Sequence, residues 1–164
     1  MRISARIESM KCQVVRGVGT GVSVATWAEH DGVPVLHMTA LEALGGVRAV
    51  FTGRHGGVSP RWGDGLNWSL SVGDGPEQVR ENRRRSLAVL GVGPQAAVMG
   101  GLVHGSRVAV VVGGTGSRPP VPADDVRVVP GADALVTDHF GLALVITAAD
   151  CVPVYLYDPV RRAV

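Results

Sequence analysis

Aromatic residues make up only 4% of this 164-residue chain, so single-strand nucleic-acid binding, which rests on aromatic platforms along a basic groove, has no support. No run approaches the roughly 18 consecutive apolar residues of a membrane helix. The segment from Met1 to Thr20 also lacks the apolar core and small-residue cleavage site of a secretory signal. Two cysteines, Cys12 and Cys151, are too few for the disulfide framework of a small secreted domain, and both read as reduced thiols. These absences point to a cytoplasmic protein without a nucleic-acid or membrane partner. Lysine is nearly missing too: Lys11 is the only one, and arginine supplies the rest of 16 basic residues against 14 acidic. That skew fits a GC-rich gene better than a functional demand, and the densest basic stretch, Arg80 to Arg85, reads as a solvated helix face.

What is present suffices for one compact domain: 46% hydrophobic residues and a mean hydropathy of +0.23. Met1 to about His30 shows no clear period and reads as an irregular lead-in. Val47 to Thr52 is β-branched and aromatic, a strand signal that runs into the Gly-rich turn Gly53-Arg54-His55-Gly56-Gly57 and a loop through Asp74. Pro76 suits the first turn of a helix, Asp74 or Gly75 can cap it, and Val79, Leu87 and Leu90 fall near one face before Gly91 and Gly93. Four apolar runs, Ala97–Met99, Val108–Val112, Leu142–Thr147 and Val152–Tyr157, read as strands with buried faces, the last closing at the turn Asp158-Pro159. Glycine and proline between Gly113 and Pro122 make that stretch a surface loop. There is no internal repeat.

Two residues stand out as carriers of chemistry. His104, in Val103-His104-Gly105, lies just before a strand signal, and Cys151 lies in Ala149-Asp150-Cys151-Val152-Pro153 between two apolar runs. A histidine at a strand edge is commonly a satisfied polar residue, and a cysteine among apolar residues an inert small hydrophobe. Asp150 argues for more, because a carboxylate wedged between apolar runs needs a partner or a polar site. Imidazole and thiolate are the usual zinc donors, but a catalytic zinc takes three protein ligands, and two are visible. His30, His37, His55 and His139 lack partners at metal spacing and read as surface or loop residues. His55 is set apart by its place beside Arg54, in a turn where the Gly56 and Gly57 amides and an arginine fork could cradle a phosphate.

Four segments in order resemble one family: Phe51 to Ser59, Gly73-Asp74 with Glu81-Asn82-Arg83, Val103-His104-Gly105, and Ala132 to Asp138 leading to Ala149-Asp150-Cys151-Val152-Pro153. The chain is similar to the laccase-domain family, also called multicopper polyphenol oxidase or YfiH-like proteins. The resemblance covers about Val47 to Val164. Residues 1–40 thus read as a poorly matched lead-in, and 41–164 as the amino-terminal part of one laccase-type domain. It implies a mixed α/β fold. It implies purine nucleoside phosphorylase activity with adenosine deaminase and methylthioadenosine phosphorylase side activities, although some bacterial members are described as peptidoglycan editing factors. In that family the corresponding histidine and cysteine bind zinc, which maps onto His104 and Cys151. A further histidine of a His-x-Gly-Trp-Arg-Gly segment completes the site, and this chain stops at Val164, before it. Leu102 stands where the family has Gln, two residues before the histidine.

The resemblance implies that zinc, rather than copper, would polarise an oxygen for attack on a purine nucleoside. Arg54, Gly56 and Gly57 would hold phosphate, Asp150 would orient a ligand or shuttle a proton, and Asp74 and Asn82 would contact the sugar or fix the loop. Two other readings stay open: a cysteine hydrolase with Cys151 as nucleophile, and a fragment without catalysis because its metal site is incomplete.

Overall fold

The computed structural model describes residues 23–60, 63–113 and 125–164. Among these residues, three small sheets and one long helix make up a mixed α/β architecture. Strands β1 (Thr26–His30), β2 (Val33–His37) and β3 (Val50–Thr52) form an antiparallel sheet in the order β1-β2-β3. The β1–β2 turn is Asp31-Gly32, both at positive φ (49° and 79°), the left-handed conformation that Asp and Gly accept most readily. A short helix α1 (Thr39–Glu42) follows β2.

Helix α2 (Pro76–Ala88) begins where the sequence says it should. Gly75 is the extended N-cap, Pro76 needs no amide partner in the first turn, and Gly91 at φ +72° follows the last turn. Its inner face buries Val79, Asn82, Arg83, Ser86 and Leu87. Leu87 packs with Ala97, Val126 and Ala143, flanked by Trp68, Leu90 and Met99, while Val89, just past the helix, packs with Val33, Val35 and Leu66. The end of α2 therefore joins two apolar clusters, and truncating Leu87 to Ala would destabilise by about 2–5 kcal/mol.

The site rests on the second sheet, formed by β4 (Ala97–Gly101), β6 (Arg127–Pro130) and β8 (Ala143–Val145) in the order β6-β4-β8, all parallel. A two-stranded parallel sheet pairs β5 (Val108–Val110) with β7 (Ala134–Val136). The last residue, Val164, exchanges two backbone hydrogen bonds with Thr137, at 2.8 and 2.9 Å.

Several expectations change. β5 exists but is not buried: Val108 and Val110 are both exposed. Val152–Tyr157 is not a strand. Among the described residues it pairs with no ladder, Val152 is 86% exposed, and it is pinned instead by the Tyr155 and Tyr157 hydroxyls, which donate to the Val50 and Gly45 carbonyls at 3.0 and 2.9 Å. The expected irregular lead-in lies mostly outside the described residues, but its last five residues are β1, packed in a sheet with β2 and β3. The expected loop after Gly113 lies outside them as well, as does Cys12.

Candidate active site

Parallel strands send their carboxyl ends to one edge of a sheet, and in open α/β sheets that edge is where ligands bind. Here the loops leaving β4, β6 and β8 share that edge. Gly101 is in register with Pro130 and Met99 with Val145, so His104, Asp133 and the Asp150–Cys151 pair all follow within a few residues of neighbouring strand ends. The loops that carry the two expected metal donors thus both leave the carboxyl ends of neighbouring parallel strands. Both are exposed, and Cys151 is a free thiol. Asp150 is exposed too, and not wedged between buried strands, because the run after it is not a strand.

The His104 loop is held by Asp133, a residue for which no individual role was expected. The Val103 amide donates to Asp133 Oδ1 at 3.0 Å, the Asp133 and Ala134 amides donate to the Arg107 carbonyl, and Arg107 Nη1 donates to the Pro130 carbonyl at 2.8 Å. The amides of Val103 and then Gly105 hold the Asp133 carboxyl below the usual carboxylate range. A Cβ on Gly105 would stand 3.1 Å from Asp133 Oδ2, so the loop approaches the carboxylate closely. His104 itself sits at φ +58°, an uncommon conformation for a residue with a side chain. A backbone turned this way around an internal carboxylate fixes where the imidazole emerges. The signal was in the sequence, in Ala132-Asp133-Ala134, but only the fold shows what Asp133 touches.

The Gly-rich turn is built for close packing. A Cβ on Gly56, at φ +83°, would lie 2.3 Å from the Gly32 carbonyl oxygen, and one on Gly57 would lie 2.1 Å from the Gly65 carbonyl oxygen. The Gly57 amide donates to the Asp64 carbonyl at 2.9 Å, so it is engaged within the loop. Arg54 and His55 are exposed on the turn, and the Arg54 guanidinium makes no hydrogen bond or ion pair with the described residues.

Asn82 organises this turn from beneath. It is fully buried, accepts from the Val58 amide at 2.8 Å, and donates to Ser59 Oγ, the Asn67 carbonyl and the Gly65 carbonyl at 2.8, 2.9 and 3.2 Å. Asp74 accepts from Ser59 Oγ at 2.5 Å and from Asn67 Nδ2 at 2.9 Å. The Asn82 amide is thus spent on fixing the loop, and Asp74 is tied into the same network. Arg83, 4% exposed, pairs with Asp125 and donates to the Trp68 carbonyl, departing from the expected solvated face. Arg84 and Arg85 do lie outward, and their hydrogen bonds, Arg84 first, lower the Glu81 carboxyl to about 2. Arg85 also reaches the Gly56 carbonyl at 3.3 Å, joining helix to turn.

The fold is a mixed α/β domain in which the His104, Asp133 and Asp150–Cys151 loops each leave the carboxyl end of a strand in one parallel sheet, while Arg54 stands on a separate turn braced by helix α2. Residues 48–164 match the family described as multi-copper polyphenol oxidoreductase laccase, and the chain belongs to that family. It is 44% identical over 119 residues to a purine nucleoside phosphorylase of Streptomyces coelicolor, a match covering 73% of this chain and 46% of that protein. It is 42% identical to a purine nucleoside phosphorylase of Streptomyces griseus, covering 79% and 49% respectively. Among solved structures it is similar to the Bacillus licheniformis hypothetical protein YfiH, with a TM-score of 0.69 and 29% identity over 87% of this chain and 50% of that one. The chain spans about half the length of the relatives it matches.

Among the described residues no group of three or more His, Cys, Asp and Glu side chains is placed to hold a metal ion. His104 and Cys151 are residue types that bind zinc, but a catalytic zinc takes three protein ligands. The residues present therefore do not complete a zinc site by themselves.

Proposed function

We propose that this chain carries part of a zinc-dependent purine nucleoside phosphorylase. That enzyme would convert adenosine or inosine and phosphate to the free base and ribose 1-phosphate, with adenosine deamination as a side activity. The reading is supported by the parallel register of β4 and β8, whose carboxyl ends lead into the loops that carry His104 and Cys151. Zinc there would act as a Lewis acid toward a bound oxygen. The exposed Arg54 guanidinium, on its glycine turn, is suited to hold phosphate bidentately. A phosphate oxygen would attack the anomeric ribose carbon as the bond to the purine nitrogen breaks. The electron pair would leave with the base, which takes a proton, and Asp150 beside Cys151 is the group proposed to carry it. The 164-residue polypeptide alone, with two donors, is proposed to be inactive.

The exposed free thiol of Cys151 also suits a second reading, a cysteine hydrolase. The experiment extends the chain with the carboxy-terminal half of the Streptomyces coelicolor relative and follows inosine. Hypoxanthine release that requires phosphate and is abolished by a chelator supports the phosphorylase. Release without phosphate, or activity that survives the chelator, contradicts it.

A further inference from the structure

The β1–β2 hairpin carries a pair of histidines that the match to the family, which begins at residue 48, does not include. Residues directly opposite on an antiparallel ladder share a face, as does every second residue along a strand. His30 stands opposite Val33, and Val33, Val35 and His37 alternate to the same side. Both imidazoles therefore lie on the face that carries the buried Val33 and Val35. Their rings are 5.4 Å apart, tilted at 49°, and the two Nε2 atoms approach to 3.1 Å.

With donors about 2.0–2.1 Å from a zinc-class ion, two imidazole nitrogens stand about 3.3 Å apart at a tetrahedral angle and about 2.9 Å apart at a right angle. The observed 3.1 Å lies between these two values. Glu42 supplies the support that metal-binding histidines usually have. Its Oε1 lies 3.4 Å from His37 Nδ1 and accepts the Ala49 amide at 3.2 Å. A carboxylate only accepts, so the proton of a neutral ring sits on Nδ1 in this contact, and the Nε2 lone pair faces His30.

We infer that His30 and His37 form a two-imidazole chelate for a divalent cation of the zinc, nickel or copper class, separate from the His104–Cys151 edge. Water fills the remaining coordination positions, since no third His, Cys, Asp or Glu joins the pair among the described residues. The ion would replace the single proton that the two Nε2 atoms can share and would tie the turn end of β1 to the far end of β2.

The test is a zinc chloride titration of the 164-residue chain, followed by long-range proton–nitrogen NMR of the histidine rings. The Nε2 resonances of His30 and His37 should move together and saturate at one ion, and should still do so in Cys151→Ser. His30→Ala and His37→Ala should each weaken that saturation more than about tenfold, because even supporting-shell losses weaken metal sites by about 10–100-fold. Glu42→Gln should weaken it by a smaller factor. Zinc that shifts neither ring in the unmodified chain, or that binds His37→Ala as tightly as the unmodified chain, overturns the inference. The ring shifts of the unmodified chain decide the matter even if a variant fails to fold.

Discussion

The Val58 amide donates to Asn82 Oδ1 at 2.8 Å, and through this bond a loop 24 residues earlier in the chain hangs on the middle of helix α2. Removing that support leaves several buried polar groups of the loop without partners. Asn82→Ala is expected to destabilise the fold by about 2–4 kcal/mol, seen as a lower urea midpoint. Asn82→Asp keeps the acceptor for Val58 but sets an oxygen against the Gly65 and Asn67 carbonyls, so it should not rescue. A midpoint within error of the unmodified chain for either variant would mean that the turn does not depend on this residue.

The ion pair of Arg83 with Asp125 is nearly buried on the arginine side, with side-chain exposures of 4% and 19%. Truncating one partner strands the other's charge, so Asp125→Ala is expected to lose about 3 kcal/mol. Adding Arg83→Met to that variant should recover part of the loss, because no buried charge is then left unpaired. Thermal unfolding of the single and double variants measures this, and a double variant less stable than Asp125→Ala would contradict it.

Acid should weaken the chain in a defined window. Folding lowers the Glu81 carboxyl from 4.5 to about 2, through Arg84 first and Arg85 second, so the folded state binds its proton less readily than the unfolded one. Its contribution is full above about 4.5 and is lost as pH falls toward about 2. Because Arg84 is 62% exposed, solvent screening limits the contribution to less than about 1 kcal/mol. Glu81→Gln should therefore flatten the acid limb of a stability-versus-pH curve slightly and lower stability at neutral pH. An unchanged acid limb would contradict the assignment.

Asp133 is a positioning residue for His104. Its carboxylate accepts the Val103 amide at 3.0 Å, so Asp133→Ala should speed hydrogen exchange across residues 102–107 while leaving helix α2 protected. Asp133→Asn should be intermediate, since one oxygen can still accept. Exchange in that loop equal to that of the unmodified chain would show that the carboxylate does not hold it.

Helix α2 was legible because local chemistry fixes both its ends: Pro76 preorganises the start and Gly91 takes the left-handed exit. β4 and β8 were legible as short apolar runs bounded by turns. β1 was not, since Thr26-Trp27-Ala28-Glu29 is exposed along its length and shows no alternation for a reader to find. Val152–Tyr157 misled for the opposite reason. Its residues suit a strand, but a strand needs a partner ladder, and local sequence does not report whether one stands alongside. The donors His104 and Cys151 were visible as residue types, and Asn82 was already a candidate for fixing the loop, whereas Asp133 gained its role only from a contact across 30 positions of sequence.

The most direct measurement is phosphate-dependent release of hypoxanthine from inosine by the chain extended to the length of its relatives, unmodified and as His104→Ala and Cys151→Ala. Each substitution is expected to lower the rate at least about 100-fold, in keeping with the several kcal/mol that a metal-ion Lewis acid supplies to a transition state. Rates unchanged in both variants would contradict the account that the carboxyl edge of β4 and β8 is the catalytic site.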